Sequence, residues 1–300
     1  MIDLHELCKR FRVRPGKRLR LKDYDPGWSG GDAASKAKRK SFAEELLSKD
    51  ITNLAAAQEK LYAADSCSLL IIFQAMDAAG KDSTIKHVMS GVNPQGVQVY
   101  SFKQPSAEEL DHDFLWRCAK CVPERGRIGI FNRSYYEEVL VVKVHPEFLA
   151  NQRLPKAAPH KEKFWQERYK SINHFERHLT QNGTAIIKFF LYVSKDKQRE
   201  RFLERINDPT KHWKFSESDL AERERWDEYM EAYEQCLSET STDDAPWYVI
   251  PADHKWVSRA LVAQVITQTV DELDLKWPEP TPKQVEAIAV AKQQLEGEAV

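Results

Sequence analysis

Apolar positions along the chain fall into two patterns. Short continuous runs, bounded by turn residues, occur at residues 68–73 (SLLIIF), 97–101 (VQVYS), 127–131 (RIGIF), 184–193 (TAIIKFFLYV) and 247–250 (WYVI). Runs of that kind predict strands buried on both faces, as in a parallel sheet. Between them the spacing turns helical, predicting helices over 50–64, 82–90, 107–121, 134–142, 161–181, 195–206, 216–237 and 254–275. Strand and helix alternate, so the fold class expected is α/β, a central parallel sheet covered by helices on both sides. After the Trp277-Pro278-Glu279-Pro280 break, the chain restarts a polar helix. The organisation predicted is an arm and leading helix over 1–50, a core domain over 51–277 and a helical tail over 278–300.

The chain has 300 residues, 42% of them hydrophobic and 30% charged, enough for one large packed domain. No stretch approaches the roughly 20 apolar residues that span a bilayer, and no apolar segment follows the charged N-terminus. Five scattered cysteines, an odd number, do not form a disulfide framework. These features predict a cytoplasmic protein. The net charge of −1 conceals local segregation. Residues 9–22 (KRFRVRPGKRLRLK) carry eight positive charges and no negative one. Residues 195–214 carry seven positive against four negative, and 216–239 is acidic. Basic groups so concentrated suit a polyanionic substrate, although solvated helix faces produce the same pattern.

Chemistry enters at residues 68–84, SLLIIFQAMDAAGKDST: an apolar strand, a small-residue turn, Gly80-Lys81, then a helix. This is the context of a phosphate-binding loop. Ala75, Ala78, Ala79 and Gly80 allow backbone N–H groups to close on phosphate oxygens, and the helix beginning with Asp82, Ser83 and Thr84 directs its positive end at the same anion. Lys81 adds a full charge. The match to G-x-x-x-x-G-K-[ST] is imperfect, because Ala75 stands for the first glycine and Asp82 for the hydroxyl residue. Asp77 and Asp82 would repel bare phosphate; they make sense as Mg2+ ligands.

The stretches FQAMDAAGKDSTIKHVMSGVNPQGVQVYSFKQPS at 73–106 and RGRIGIFNRSYYEEVLVVKVHPE at 125–147 closely resemble the polyphosphate kinase type 2 family. DHDFLWR at 111–117, the region 188–220 and APWYVIPADHKW at 245–256 add to the likeness, which runs from about residue 54 to residue 277. The resemblance implies a thymidylate-kinase-like P-loop fold, a three-layer sandwich with a helical lid at about 195–237. It implies Mg2+ dependence and phosphoryl transfer between polyphosphate and nucleotides. The nucleotide partners implied are AMP, ADP and ATP, with guanine nucleotides admitted, and the assembly implied is a homo-oligomer, a dimer or tetramer.

Residue by residue, the resemblance gives Lys81 to the phosphate chain, Asp77 to the metal and Arg133 to the reacting phosphates. Asn132 stands where many members carry a Walker-B-like aspartate, as in the branch that uses both AMP and ADP. Arg201 and Arg205, four apart on one helical face, are followed by Lys211 and Lys214 in the lid. Lys103 and Arg117 are further candidates for phosphate contact. Glu137, one turn past Arg133, either orients that arginine or the metal, or is an acid favoured at a helix start. Cys118-Ala119-Lys120-Cys121 has no second pair at zinc spacing, and His174 and His178 lack the intervening glutamate of a zinc helix. Trp165, Trp213 and Trp226 read as core or lid packing, with a base-stacking role kept open for Trp213 beside the lid turn. The competing readings are an ATP-dependent nucleoside monophosphate kinase on the same fold and a nucleic-acid-binding protein using the arm; no nucleic-acid motif supports the latter.

Overall fold

The computed structural model describes residues 4–30, 35–155 and 161–298; the first three residues of the arm and the last two of the tail lie outside that set. Five strands form one sheet: β1 (Ser68–Gln74), β2 (Val97–Ser101), β3 (Ile128–Asn132), β4 (Thr184–Tyr192) and β5 (Trp247–Pro251). All four pairings are parallel, in the order β2-β3-β1-β4-β5. Each strand lies within two residues of its expected position. Every residue of β1 and β5 is buried, which is why these strands read as unbroken apolar runs. The order reverses at β1, flanked by β3 and β4. Crevices at the carboxyl ends of strands around such a switch point are where ligands bind in open α/β sheets.

The leading helix, Lys36–Ala64, starts at an N-cap, Ser35, whose side chain accepts from Lys38 N. It runs unbroken past residue 50, so a boundary there falls inside it. Residues 36–49 carry few apolar positions (KAKRKSFAEELLSK), which hid this half of the helix. It packs on the core helix Lys255–Asp271. The helix expected over 107–121 is instead two single turns, Ala107–Leu110 and Trp116–Ala119. Asp113 breaks it by accepting from Leu115 N at 2.9 Å, a local turn that competes with helical bonding. The helix expected over 134–142 is a 3-10 segment, Tyr135–Val139, then a short turn, Val141–Val144; the β-branched run through them favours neither element strongly. The one expected over 216–237 is divided into Ser218–Glu224 and Trp226–Thr240. At the division Arg225 leaves helical geometry and reaches both Glu228 oxygens (2.9 and 2.6 Å) and His145 Nδ1 (2.9 Å). The tail helix Pro282–Gly297 begins with a Thr281/Gln284 capping box and has no buried residue.

A buried ion pair lies in the core. Lys188 on β4 lies 2.5 Å from Glu176, which sits on the helix Lys161–Gln181, and both are shielded from solvent. Lys188 Nζ also donates to Tyr136 OH at 2.9 Å and to Thr240 O at 2.8 Å. The hydroxyls of Tyr135 and Tyr136 both donate to the other Glu176 oxygen, at 2.8 and 2.7 Å. Breaking such a pair leaves a buried, uncompensated charge. Lys188→Met is therefore expected to lose about 3–5 kcal/mol of stability in urea denaturation, and the double variant Lys188→Met/Glu176→Leu to recover most of that loss.

Asp50, inside the leading helix, is 3% exposed, and its Oδ2 has no hydrogen-bond partner. Burial lifts its carboxyl from an ordinary 3.8 to about 6, with Lys49 opposing and Asp271 adding to the shift. The folded state thus holds this proton more tightly than the unfolded chain does. The resulting stabilisation is complete in acid and is lost as pH rises through about 6. Asp50→Asn should raise Tm at about pH 8, and the gain over the parent should disappear by about pH 4, as read by scanning calorimetry.

Candidate active site

β1 ends at Gln74, and the chain turns through residues 75–80 into the helix Lys81–Val88. Two residues of this turn have positive φ: Ala78 at 60° and Gly80 at 106°. The second is a conformation that glycine adopts without steric cost. Gly80 is the N-cap and brings no side chain, so no side chain covers the first amides of the helix. Amides left open at a helix start, pointing with the positive end of the dipole, attract anions. Lys81 Nζ is buried and donates to Ala75 O at 2.8 Å, folding back over the loop. Burial and then Arg133 push the ammonium below its ordinary pKa, against the pull of Asp77, Glu137 and Asp82.

Beside the loop, β3 delivers Asn132 and Arg133. Arg133 also has positive φ, 63°, and its N–H donates to Phe73 O at 3.0 Å. A non-glycine residue held there is strained, and strain of this kind collects at functional sites. The guanidinium donates to Asp77 Oδ1 at 2.7 Å, while Glu137 exerts the largest pull holding it protonated. Asn132 Nδ2 donates to Asp82 Oδ1 at 2.8 Å, and Lys214 Nζ lies 4.0 Å from Asp82 Oδ2.

The helix Lys195–Asn207 closes the third side. Arg201 is buried, and its guanidinium is shared between two loops. Nη1 donates to Ala78 O (3.0 Å) and Ala79 O (2.7 Å); Nη2 donates to Ala252 O (2.6 Å) and Asp253 O (3.1 Å). Gln198, also buried, donates to Asp77 O at 2.9 Å. Arg205 pairs with Asp219 at 3.4 Å and Lys211 with Asp208 at 2.7 Å.

Together these residues surround a cavity of about 650 Å3. Of the expected phosphate-site residues it brings together Asp77, Ala78, Gly80, Lys81, Asp82, Ser83, Lys103, Asn132, Arg133, Arg201, Arg205, Lys211 and Lys214. Ala79 and Thr84 belong to the loop and its helix but are buried behind the wall. Arg117 and Glu137 line a second, adjoining cavity of about 310 Å3, where Phe102, Leu110, Phe114, Val141 and Phe148 are the apolar walls. There Arg117 lies over the Phe102 ring at 5.4 Å and donates to Lys103 O at 2.7 Å, so it supports the Lys103 segment. The two cavities meet at Phe102, Lys103 and Arg133.

The sequence profile of polyphosphate kinase 2 (PPK2) matches residues 36–278. The chain belongs to the polyphosphate kinase 2 family. It is 51% identical over 291 residues to an ADP-polyphosphate phosphotransferase of Rhodopseudomonas palustris, an alignment covering 96% of this chain and 98% of that protein. It is 45% identical over 272 residues to an AMP/ADP-polyphosphate phosphotransferase of Meiothermus ruber, covering 91% and 96%. The crystal structure of polyphosphate kinase 2 from Arthrobacter aurescens superposes with a TM-score of 0.82 at 41% identity, over 94% of this chain and 96% of that one.

In this polyphosphate kinase 2 chain, several cavity residues escaped the sequence reading. Arg259 Nη2 donates to Ser83 Oγ at 2.7 Å, and Lys255 and Asp219 line the cavity wall. Lys255 lies within the 245–256 stretch and Asp219 within the 188–220 region that carried the family likeness, so those motifs were the available signal. Trp213, read as packing, is 78% exposed at the cavity rim. Cys118 is fully buried, and burial raises its thiol to about 12; burial also raises the thiol of the half-buried Cys121. No group of three or more metal-binding side chains occurs among the described residues, and no helix among them is long and apolar enough to cross a membrane.

Asn132 and Asp82 form a matched pair, because the amide donates where a second carboxylate would repel. In Asn132→Asp, two carboxylates at hydrogen-bond distance share one proton. The variant is expected to show an added ionisation limb in its pH–rate profile, displaced upward from an ordinary carboxylate by the like-charge contact, with the parent showing no such limb.

Proposed function

We propose that the chain moves terminal phosphoryl groups between inorganic polyphosphate and nucleotides, making ADP from AMP and ATP from ADP, reversibly. The observation carrying this reading is the junction of the two cavities. A cationic chamber suited to a phosphate chain opens at Lys103 and Arg133 into an apolar-walled pocket suited to a nucleoside. A nucleotide seated across that junction presents its phosphate to the loop.

The chemistry needs no covalent intermediate. An ionised oxygen of the acceptor phosphate attacks the terminal phosphorus of the chain. The bridging P–O bond breaks, and the chain leaves one phosphate shorter with the electron pair on its new terminal oxygen. Lys81 and the loop amides hold the donor; Arg133 faces the charge on the transferring group. Arg205, Lys211 and Lys214 cover it from the lid, and Arg201 fixes the lid helix to the loop. Glu137 and Asp77 keep Arg133 charged and aimed.

Asp77 and Asp82 fit Mg2+, which takes one or two carboxylates and completes its octahedron with water and substrate phosphates. Asp77 has one oxygen engaged by Arg133, and both carboxylates face the cavity. The ion, when bound, neutralises phosphate charge and aligns the two anions. The neutral amide of Asn132 supports use of both acceptors, since it adds no repulsion against the extra charge of ADP. Guanine nucleotides belong to the same acceptor class, and the reading carries with it a cytoplasmic homo-oligomer.

Purified protein with Mg2+ and polyphosphate, offered AMP and ADP separately, should yield ADP and ATP by chromatography. Lys81→Ala should lower kcat at least about a hundredfold. Product from a single acceptor would reject dual use. Inertness with polyphosphate but activity with ATP and a nucleoside monophosphate would replace this reading with a nucleotide kinase.

A further inference from the structure

The basic arm is not a loose tail. Residues 11–21 alternate: Phe11, Val13, Leu19 and Leu21 are buried, while Arg14, Lys17, Arg18 and Arg20 face solvent. The backbone is fastened to the sheet edge and the acidic helix. Arg12 bridges Tyr248 antiparallel on β5, and Val13 N donates to Trp247 O at 2.8 Å. Leu19 N donates to Ser238 Oγ at 2.9 Å and Leu21 N to Glu234 Oε1 at 2.7 Å. Apolar anchors thus force the cations onto one outward face. That face is concave, enclosing about 420 Å3, and among the described residues Asp23 and Asp25 are the carboxylates that line it. Asp23 is occupied by Arg20 and Asp25 by Gly27 N. Among the described residues Arg14, Lys17 and Arg18 form no ion pair, so cations outnumber carboxylates on this face. Such an arrangement raises the local concentration of a polyanion.

The arm also points toward the phosphate cavity. It starts beside Tyr248 and reaches Asp253, whose N–H donates to Pro26 O at 3.0 Å. Those five residues of strand and turn span roughly 17 Å at about 3.3 Å each. Asp253 O is one of the four carbonyls that hold Arg201. Beyond the arm, burial and the charges of Lys36, Lys197 and Arg39 disfavour protonation of His254, with Asp253 opposing them, and the neighbouring Lys255 lines the cavity.

We propose that the arm is a second polyphosphate site, holding the distal part of a long chain whose terminus sits in the cavity. This rests on polyphosphate being the donor. A polymer of phosphates without bases is the favoured occupant because cations dominate the concavity, while its rings are buried or engaged: Phe11 is buried and Tyr24 half-buried. The Trp28 ring is met edge-on by Phe11 at 5.1 Å and covered by Arg10 at 5.4 Å.

The test neutralises Arg14, Lys17 and Arg18 together as R14Q/K17Q/R18Q, all exposed and outside the catalytic cavity. KM for long-chain linear polyphosphate should rise about fivefold or more, while KM and kcat with tripolyphosphate, too short to reach the arm, should not change. Labelled long-chain polyphosphate should bind K81A protein and lose that binding when the three arm changes are added. An unchanged KM for long chains, or equal rises for both lengths, would overturn the proposal. An RNA oligomer that displaces labelled polyphosphate from the arm more effectively than polyphosphate itself would overturn the occupant. If the parent consumes polyphosphate of neither length, the donor assignment has failed, and the binding arm of the experiment still decides whether these three residues hold the chain.

Discussion

An ammonium and a carboxylate meet inside the protein at Lys188 and Glu176, and the catalytic end of the sheet is built outward from that contact. Lys188 sits on β4 between Ile72 of β1 and Trp247 of β5. Glu176 comes from the helix Lys161–Gln181, and the carbonyl of Thr240 closes the end of the acidic helix on the same ammonium. Because Tyr135 and Tyr136 spend their hydroxyls on Glu176, the segment after Arg133 has only one place to go. Burial works against the charge on Lys188, and Glu176 is the main influence restoring it. An apolar replacement of the pair would be about as stable. What the pair adds is position: the residues that follow β3 are registered against the sheet.

From that frame the cavity acquires its electrostatics. Positive φ at Ala78, Gly80 and Arg133 turns amides and a guanidinium inward at the edge where the strand order reverses. Arg201 fixes the relation between three pieces of chain, the phosphate loop, the lid helix and the turn after β5, through carbonyls alone. Its charge is thereby spread over the backbone, whereas Arg205, Lys211 and Lys214 stay near the cavity surface on exchangeable carboxylate partners. Fixed and exchangeable cations thus differ in kind: the first hold the walls together, and the second are the ones that, on the function proposed, change partners to meet a substrate.

Much of this was legible in the sequence because the responsible signals are local. The five strands announced themselves as apolar runs, and 73–84 carried loop, lysine and helix start in one segment. Asp77, Lys81, Asn132 and Arg133 could be named because each lies within a few residues of a strand end. What could not be read depends on partners distant along the chain. The break at Arg225 joins a local partner, Glu228, to one 80 residues away, His145. Arg117 was expected at phosphate, but Phe102 and the Lys103 carbonyl hold it in the neighbouring pocket. Arg259 lies on a helix whose pattern says only that it is buried, and its bond to Ser83 spans 176 residues. Arg201 was singled out for its charge, yet its contacts are with carbonyls that no pattern of residue types encodes.

Most cations around the cavity already have a counterpart: Lys81 on Ala75 O, Arg133 on Asp77, Arg205 on Asp219, Lys211 on Asp208. Binding here is consequently an exchange of partners, in which an arriving anion must outcompete several incumbents at once. Chloride or a single orthophosphate replaces one of them and gains little over water. A chain that brings a negative charge at every link displaces them in concert, and the cost of the first exchange is shared by all that follow. The resting protein therefore sets a valence threshold, which filters the abundant small anions of its surroundings without any pocket shaped to exclude them.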